Sequence, residues 1–197
     1  MADSSGGGMR PPALDTAPGL DTAPALDVSP GLLKDDCRAL RRVLGSFATG
    51  VTVLTAGRET PRGMTANSFA SVSLDPPLVL VCVLRTAALH HQMLDEKAFA
   101  VSVLSADQEP LARRFANRSR PRGPREFEAV DVEPGRYTGA PIVSGALAWL
   151  ECGLRAVYDG GDHSIMVGAV LDAGGGPGGD ALLFYGGGFH GLTPSTV

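Results

Sequence analysis

Residues 63–73 read GMTANSFASVS, and residues 74–77 close this stretch with LDPP. The stretch lies between two apolar runs, at 51–56 and 78–84, that are typical of β-strands. Its hydroxyl and amide side chains offer neutral hydrogen-bond donors and acceptors, and its small residues let a flat ligand approach the backbone closely. This composition suits a heteroaromatic ring with a polar edge. A polar edge strand with one Ser/Thr-rich face is the alternative that composition leaves open.

Composition and charge exclude several classes of function. The 197 residues carry a net charge of −4, with a mean hydropathy of +0.08 and a pI near 5.5, which fits one soluble globular domain with or without a tail. An acidic chain gives no support to nucleic-acid binding, which needs a basic surface. No apolar run reaches the roughly 18 residues of a membrane-spanning helix. We therefore expect neither nucleic acid nor membrane as a partner.

Cysteine and histidine usage argues against a metal centre. Cys37, Cys82 and Cys152 are odd in number and widely spaced, so neither a disulfide framework nor a zinc site is expected. His90 and His91 are adjacent, and we expect their side chains to point apart. The N-terminus lacks a basic segment followed by an apolar one, so no secretory signal is expected. A cytoplasmic location follows as the expectation.

The chain divides into a tail, residues 1–33, and a folded domain, residues 34–197. The tail contains the near-repeats LDTAPG, LDTAPA and LDVSPG at 14–31, whose regular prolines block helix formation. We expect a disordered or extended segment there. From Asp35 onward, Leu40, Val43, Leu44 and Phe47 recur at helical spacing, with acidic residues at the start of the predicted helix.

Beyond this helix, short strands follow one another with few helices, which is typical of a closed antiparallel barrel. The run at 78–84 is nearly all apolar and is expected to be buried on both faces. Residues 105–108 fit a capping box ahead of a helix at 109–116, and the basic, Pro-rich residues 117–125 are expected to be a mobile surface loop. The other predicted elements are a helix at 87–96, strands at 99–104, 146–158, 164–173 and 181–185, and a flexible turn at 174–179.

Several common catalytic and nucleotide-binding motifs are missing from the sequence. No G-x-G-x-x-G joins a strand to a helix, no P-loop occurs, and the lysines are limited to Lys34 and Lys97. No H-E-x-x-H and no G-x-S-x-G elbow is found. The sequence thus gives no signal for a Rossmann domain, a P-loop nucleotide hydrolase or a serine hydrolase.

The stretch GMTANSFASVSLDPPLVLVCV resembles the signature of the flavin reductase-like family. The resemblance continues upstream in FATGVTVLT at 47–55, and downstream in FAVSVL at 99–104, QEPLARRFA at 108–116 and GDHSI at 161–165. It extends over residues 37–192, in the order found in the family. The resemblance implies a mainly β fold, the FMN-binding split β-barrel of antiparallel, Greek-key type with a few short flanking helices, usually as a homodimer.

The same resemblance implies an NAD(P)H:flavin oxidoreductase. Hydride would pass from NADH or NADPH to FMN or FAD, and the reduced flavin would serve a separate oxygenase component of a two-component monooxygenase. The two rings carry this chemistry, so no catalytic acid or base is expected. A flavin-binding electron-carrier module without nicotinamide turnover remains an alternative, and a split-barrel oxidase acting on a compound such as pyridoxamine phosphate is a third.

The resemblance also implies a set of flavin contacts. The residues implied against the isoalloxazine ring are Thr49, Gly50, Val51, Thr52, Thr65, Ala66, Asn67 and Ser68. Those implied near the ribityl chain and phosphate are Ser71, Val72, Ser73, Arg85 and Thr86. For the hydroxyls the alternative is backbone capping at strand ends, and for Arg85 it is an ordinary surface charge.

The remaining implied residues concern the nicotinamide. His163 in GDHSI is implied at the nicotinamide side, with a solvated turn histidine as the alternative. Tyr185 and Phe189 match a C-terminal aromatic pair that relatives separate with a basic residue. Here Gly186, Gly187 and Gly188 supply no charge between them, so these aromatics are either cofactor contacts or barrel plugs.

Overall fold

The structure, a computed structural model, describes residues 37–121 and 123–193. The described helices are α1 (Cys37–Leu44), α2 (Ala88–Glu96) and α3 (Glu109–Ala116), with short 3-10 turns at Ala106–Gln108 and Gly123–Glu126. The described strands are β1 (Thr49–Gly50), β2 (Thr52–Ala56), β3 (Arg62–Ala66), β4 (Ala70–Leu74), β5 (Pro77–Leu84), β6 (Ala98–Val103), β7 (Val132–Pro134), β8 (Pro141–Val143), β9 (Ala148–Gly160), β10 (His163–Gly175), β11 (Ala181–Tyr185) and β12 (Gly188–Leu192).

The main sheet has seven antiparallel strands in the order β3-β2-β6-β9-β10-β5-β4. Its edge strands β3 and β4 are separated along the chain only by Asn67, Ser68 and Phe69. In a flat sheet of this size the two edges would lie roughly 29 Å apart, whereas the chain from Ala66 to Ala70 reaches at most about 14 Å. The sheet must therefore roll up until its edges approach each other.

A side chain, and not a backbone ladder, joins the rolled sheet at this point. The Ser68 hydroxyl accepts a hydrogen bond from the Cys82 backbone N–H and donates one to the Cys82 carbonyl, both at 3.0 Å. We call this junction of residues 67–69 with Cys82 the seam. The expected mainly β, antiparallel fold with few short helices is thus confirmed, and the ladder is open at the seam, as in a split barrel.

Two apolar cores stabilise the molecule. The first lies inside the rolled sheet and includes the fully buried Leu54, Val81 and Phe99, with Leu89 and Met93 of α2 packed against it. The second joins α3, through Ala112 and Phe115, to a three-stranded sheet of order β1-β11-β12, among others. The strands β7 and β8 form a separate antiparallel pair. The seam and the start of α2 therefore rest on rigid, buried packing.

The interpretation of residues 78–84 as buried on both faces is wrong. Val79, Val81 and Val83 are buried in the first core, but Leu80, Cys82 and Leu84 on the other face are only half-buried. Cys82 and Leu84 line a cavity. Apolar composition predicted the strand correctly, but it does not distinguish a face packed on protein from one that borders a cavity.

The helices are close to their predicted positions. Helix α3 spans the predicted residues, and the Ser105 N–H donates to Gln108 Oε1 at 3.2 Å in the capping box that precedes it. Helix α2 begins one residue later than predicted. Asp35 and Asp36, which were expected to begin the first helix, lie outside the described residues, as does the predicted tail at 1–33.

Several strands that contain glycine or proline were not predicted from the sequence. Strands β7, β8 and β12 were not predicted, because each is short and contains Pro or Gly. The predicted turn at 174–179 is wrong in its first two residues, since β10 continues through Gly175. Gly174 pairs with Trp149, and a Cβ at Gly174 would lie only 2.7 Å from that indole ring.

Candidate functional site

A cavity of about 610 Å³ lies beside the seam. Its walls come from β3 and residues 67–68, from Cys82 and Leu84 of β5, from residues 86–89 where α2 begins, and from the end of α3 with the loop after it. Asp162, His163 and Arg41 complete the lining. This volume lies within the range of small-molecule and cofactor sites.

Small side chains line the cavity next to the backbone. Ala66, Ala87 and Ala88 leave room for a flat ring to approach the main chain. Gly63 has a different purpose, since a Cβ there would lie 2.6 Å from the Phe115 ring. The packing of Phe115 of α3 on β3 is therefore enough to require glycine at position 63.

Three of the predicted ring-binding hydroxyls donate to the protein itself. Thr52 donates to the Ala66 carbonyl at 2.8 Å, and Thr65 donates to the Ala112 carbonyl at 2.7 Å. Ser68 makes its two bonds to Cys82 across the seam. The backbone-capping role that the sequence left open therefore holds for these hydroxyls, although Thr65 and Ser68 still line the cavity.

Asn67 and Thr86 differ from those residues, because neither side chain forms a hydrogen bond within the described part of the chain. Both are exposed, and both line the cavity. Thr86 directly precedes the extended residue Ala87, after which α2 begins without a side-chain cap. One amide and one hydroxyl thus remain available to a bound molecule, close to the backbone N–H groups of a helix start.

A buried carboxylate fixes the wall on the α3 side. Glu126, only 2% exposed, accepts hydrogen bonds from the Gly63 N–H at 3.0 Å and from Arg62 Nη1 at 3.2 Å. Arg120 donates to the same carboxylate through Nε at 3.1 Å and Nη2 at 2.9 Å. Arg120 Nη1 also donates to the Phe115 and Asn117 carbonyls, which ties the loop to the end of α3. We call Arg62, Glu126 and Arg120 the charge clamp.

The segment predicted as a surface loop at 117–125 is largely exposed at residues 117–121 and includes part of the 3-10 turn at Gly123–Glu126, while its mobility stays a prediction. Arg118 and Arg120 line the cavity, and the charge clamp holds Arg120 against β3. Sequence reasoning missed Arg41, Arg62, Cys82, Arg118, Arg120 and Glu126 as cavity residues. The one available signal was Glu126, which directly follows a segment rich in arginine. Such a pattern predicts a buried ion pair only if the tertiary structure brings these side chains together.

His163 lies at the start of β10, and it lines the cavity. Its Nδ1 lies 2.6 Å from Asp162 Oδ1. This hydrogen bond holds the pKa of the exposed Asp162 carboxyl below its usual value. The imidazole is half-exposed, so a molecule in the cavity can reach it.

Arg85 forms hydrogen bonds to the turn that precedes His163, and it is not part of the cavity lining. Its Nη2 donates to Asp159 Oδ2 at 2.8 Å, and its backbone N–H donates to the Asp162 carbonyl at 3.0 Å. A backbone hydrogen bond from Gly161, followed by the Arg85 guanidinium, lowers the pKa of the Asp159 carboxyl. The position of Arg85 therefore agrees with the surface-charge alternative.

The structure places the other predicted contacts away from the cavity lining. Thr49 and Gly50 form β1 beside β11, and Val51 is buried in the second core. Ser71, Val72 and Ser73 lie on β4, at the edge of the main sheet. Phe189 packs on Phe184 under the Arg113 guanidinium, and Tyr185 is half-exposed at the end of β11. Their contact with a flavin stays a prediction.

His90 and His91 do not point apart as expected, since their rings meet edge to face at a centroid distance of 5.5 Å. His90 is 7% exposed, and its Nε2 lies 2.9 Å from the Ser164 hydroxyl. Burial, then the neighbouring His91 and Arg85, lowers the pKa of His90.

Among residues 37–121 and 123–193, no group of three or more His, Cys, Asp or Glu side chains could hold a metal ion. None of the described helices has the length and hydropathy to span a membrane.

The rolled antiparallel sheet and the cavity at its seam define a split-barrel protein with a small-molecule site. Residues 44–193 match the family described as "Flavin reductase like domain", and the chain belongs to this family.

Known proteins similar to this chain include two bacterial reductases. It is 52% identical over 155 residues to the NADH-dependent FAD reductase of Streptomyces globisporus, covering 79% of this chain and 85% of that protein. It is 47% identical over 156 residues to an FMN reductase (NADH) of Agrobacterium fabrum, covering 79% and 86%. A crystal structure of the flavin reductase component of a bacterial two-component tryptophan halogenase has 53% identity and a TM-score of 0.77, covering 80% of this chain and 99% of that one.

Proposed function

We propose that the protein is an NAD(P)H-dependent flavin reductase, which transfers hydride from a reduced nicotinamide to FMN or FAD and supplies the reduced flavin to a separate oxygenase. The observation that carries this proposal is the cavity at the seam, lined by the family's signature residues in a chain whose relatives include an NADH-dependent FAD reductase and an FMN reductase.

The residues of the cavity fit a flavin. An isoalloxazine is flat with a neutral polar edge, which suits small side chains beside the unpartnered amide of Asn67 and hydroxyl of Thr86. A phosphate suits the start of α2, where backbone N–H groups and the helix dipole favour an anion. The structure thus offers a neutral region for the ring and a donor-rich one for the phosphate.

The protein's own part in the reaction is binding and orientation. A bound flavin supplies the hydride-accepting ring, and the chain needs to hold that ring and a nicotinamide in contact with water excluded. Asn67 orients the polar edge of the ring, and Thr86 bonds the phosphate or ribityl chain. Thr52, Thr65 and Ser68 act indirectly, because their bonds to Ala66, Ala112 and Cys82 fix the backbone against which the ring lies.

His163 contacts the nicotinamide in this proposal. Its Nδ1 is occupied by Asp162, which leaves Nε2 directed elsewhere on a half-exposed ring in the cavity wall. The hydrogen bond fixes the orientation of the imidazole. Arg85 supports the same turn through Asp159 and reaches a flavin phosphate only if that ion pair opens.

The remaining predicted contacts, at 49–51, 71–73, Tyr185 and Phe189, do not line this cavity, and in this proposal they reach a flavin only in a homodimer. A homodimer is supported by Leu40, Val43, Leu44 and Phe47, whose side chains are exposed on and just after α1. Phe47 is 76% exposed, and an apolar patch of this kind is typical of an interface. Cytoplasmic location remains a prediction from cysteine usage.

The alternative of a flavin-binding carrier without nicotinamide turnover rested on the missing basic residue at 186–188. The structure supplies another reason for these glycines. Tyr185 pairs with Gly188, so Gly186 and Gly187 form a two-residue hairpin turn, with φ of +60° and +84°. Such a turn needs positive φ at both residues and strongly prefers glycine. Turn geometry thus accounts for the glycines at 186 and 187, so their presence does not by itself favour the carrier.

One assay separates the two functions. Purified protein is mixed with NADH or NADPH, with and without added FMN or FAD, and oxidation of the nicotinamide is followed by its absorbance. A flavin reductase oxidises the nicotinamide in proportion to added flavin. Protein that retains flavin but does not oxidise either nicotinamide would contradict the proposal and support the carrier.

A further inference from the structure

Four arginines line the cavity, and they divide into two pairs. Arg62 and Arg120 belong to the charge clamp, where both guanidiniums donate to the buried Glu126 carboxylate. This pair therefore has its counter-ion within the protein wall. The Glu126 carboxylate accepts three hydrogen bonds at Oε1 and one at Oε2, and the donors are Arg62, Gly63 and Arg120.

Arg41 and Arg118 form the other pair, and neither makes an ion pair or a side-chain hydrogen bond within residues 37–121 and 123–193. Both are exposed and line the same cavity. The two carboxylates of the lining are already engaged, Glu126 in the charge clamp and Asp162 with His163. A molecule entering the cavity therefore meets two positive charges that have no counter-ion among the described residues.

We propose that Arg41 and Arg118 form a binding site for the pyrophosphate of a dinucleotide substrate, an inference that rests on the proposed function. A pyrophosphate diester carries two negative charges, which matches two guanidiniums in number. The planar donor fork of arginine suits phosphate oxygens. FAD and NADH both contain this group, whereas FMN, riboflavin and reduced nicotinamide mononucleotide lack it.

The test compares Arg41→Ala, Arg118→Ala and the double variant with the unmodified full chain. Binding of FAD, FMN and riboflavin is measured by quenching of flavin fluorescence, and binding of NADH and reduced nicotinamide mononucleotide by calorimetry. Arg155→Ala is the matched control, because Arg155 is exposed on β9 and does not line the cavity. Both tested side chains are exposed, so thermal unfolding is expected to be unchanged.

Each single variant is expected to weaken FAD binding about tenfold, the effect of losing one charge-assisted hydrogen bond. FMN is expected to lose less, and riboflavin nothing. If FAD is unaffected and NADH loses affinity relative to its mononucleotide, the pyrophosphate belongs to the nicotinamide and the site is still supported. Equal losses for FAD, FMN and riboflavin, or unchanged binding of both dinucleotides, would overturn it.

The two proposals fail in different ways. A chain that binds FAD through Arg41 and Arg118 but does not oxidise NADH contradicts the reductase and leaves the pyrophosphate site standing. A chain that reduces flavin with NADH while both arginine variants bind every compound normally contradicts only the pyrophosphate site. Arg118→Lys adds a check, since it keeps the charge without the fork and is expected to recover part of the lost affinity.

Discussion

Individual polar side chains at the seam have different tasks, although the sequence presents them as one series of similar residues. Thr52, Thr65 and Ser68 bond the protein's own backbone, whereas Asn67 and Thr86 form no side-chain bond to described residues. A hydroxyl already bonded to a carbonyl contributes to the shape of the cavity. An amide in the wall that bonds no described residue is available to a ligand. Its removal is expected to weaken binding and to leave the stability of the fold unchanged.

Asn67→Ala is therefore expected to weaken flavin binding by about 1–3 kcal/mol, because the amide's hydrogen bond to the ring is lost. The free energy of unfolding is expected to stay the same. Flavin titration and urea unfolding measure the two quantities. Ser68→Ala is the control, since it removes both bonds across the seam and is expected to lower stability first. Unchanged flavin affinity in Asn67→Ala would remove this residue from the site.

His163→Ala is expected to raise the KM for the nicotinamide several-fold while flavin affinity is retained, because the imidazole is proposed to contact only the nicotinamide. Steady-state kinetics with each substrate varied in turn measures this. Loss of the hydrogen bond to His163 should also let the Asp162 pKa return upward toward its ordinary value, which NMR titration detects. The reverse pattern, weaker flavin with normal nicotinamide KM, would contradict the assignment.

His90 gives a prediction for acid stability. Its pKa is lowered in the folded chain, so the unfolded chain binds a proton more readily once the pH falls below the ordinary histidine value of about 6.5. Stability from neutral His90 is thus present above that pH and decreases as the pH falls toward the folded-state pKa. Urea unfolding at pH 7.5 and 5.5 should show a larger loss in the native chain than in His90→Gln. Equal losses would show that His90 does not govern this range.

At the scale of elements, α3 and the loop after it build one wall of the cavity. Thr65 of β3 donates to the Ala112 carbonyl in the middle of α3, and the charge clamp ties the loop to the same strand. Glu126 attaches the loop to Arg62 and Gly63 of β3, which brings the loop to the cavity wall. The capping box ahead of this helix was predicted from the sequence, but the clamp was not.

Glu126→Gln is expected to lower the free energy of unfolding by about 1–3 kcal/mol, because a buried charge that accepts from two guanidiniums becomes a neutral amide. Glu109→Gln is the matched control, since its ion pair with Arg113 is exposed and spans one helical turn. Such pairs contribute roughly 0.3–0.5 kcal/mol. Urea denaturation measures both. An equal, small effect in the two variants would show that the clamp adds no stability.

In the molecule as a whole, the surface around α1 is notable for its exposed apolar side chains. Its apolar residues recur at helical spacing as the sequence predicted, yet Val43, Leu44 and Phe47 face outward in the single chain. The Gly45 carbonyl accepts from the Gly186 N–H at 2.8 Å, which fixes the helix end beside the β11–β12 turn. This exposed apolar side of α1 is consistent with the proposed homodimer.

Val43→Asp is expected to convert the dimer to monomer, because a buried charge in the interface would lack a partner. Sedimentation velocity measures the change. Thr60→Asp adds the same charge at an exposed loop position and should leave the assembly unchanged. A native chain that sediments as a monomer, or a Val43→Asp variant that remains dimeric, would contradict the proposed interface.

Most strands of the main sheet, the position of α3 with its cap, and the stretch that borders the cavity were predictable from local periodicity and from residues near one another in the chain, whereas the short strands β7, β8 and β12 were not. Which of these residues are free to bind a ligand depends on the tertiary structure, because it determines which side chains already bond to the protein. Arg120 and Glu126 acquire their roles only when β3 comes within hydrogen-bond distance, and Ser68 only when the sheet rolls until Cys82 reaches it. Contacts between distant segments depend on how the whole chain packs, and a local pattern does not encode them.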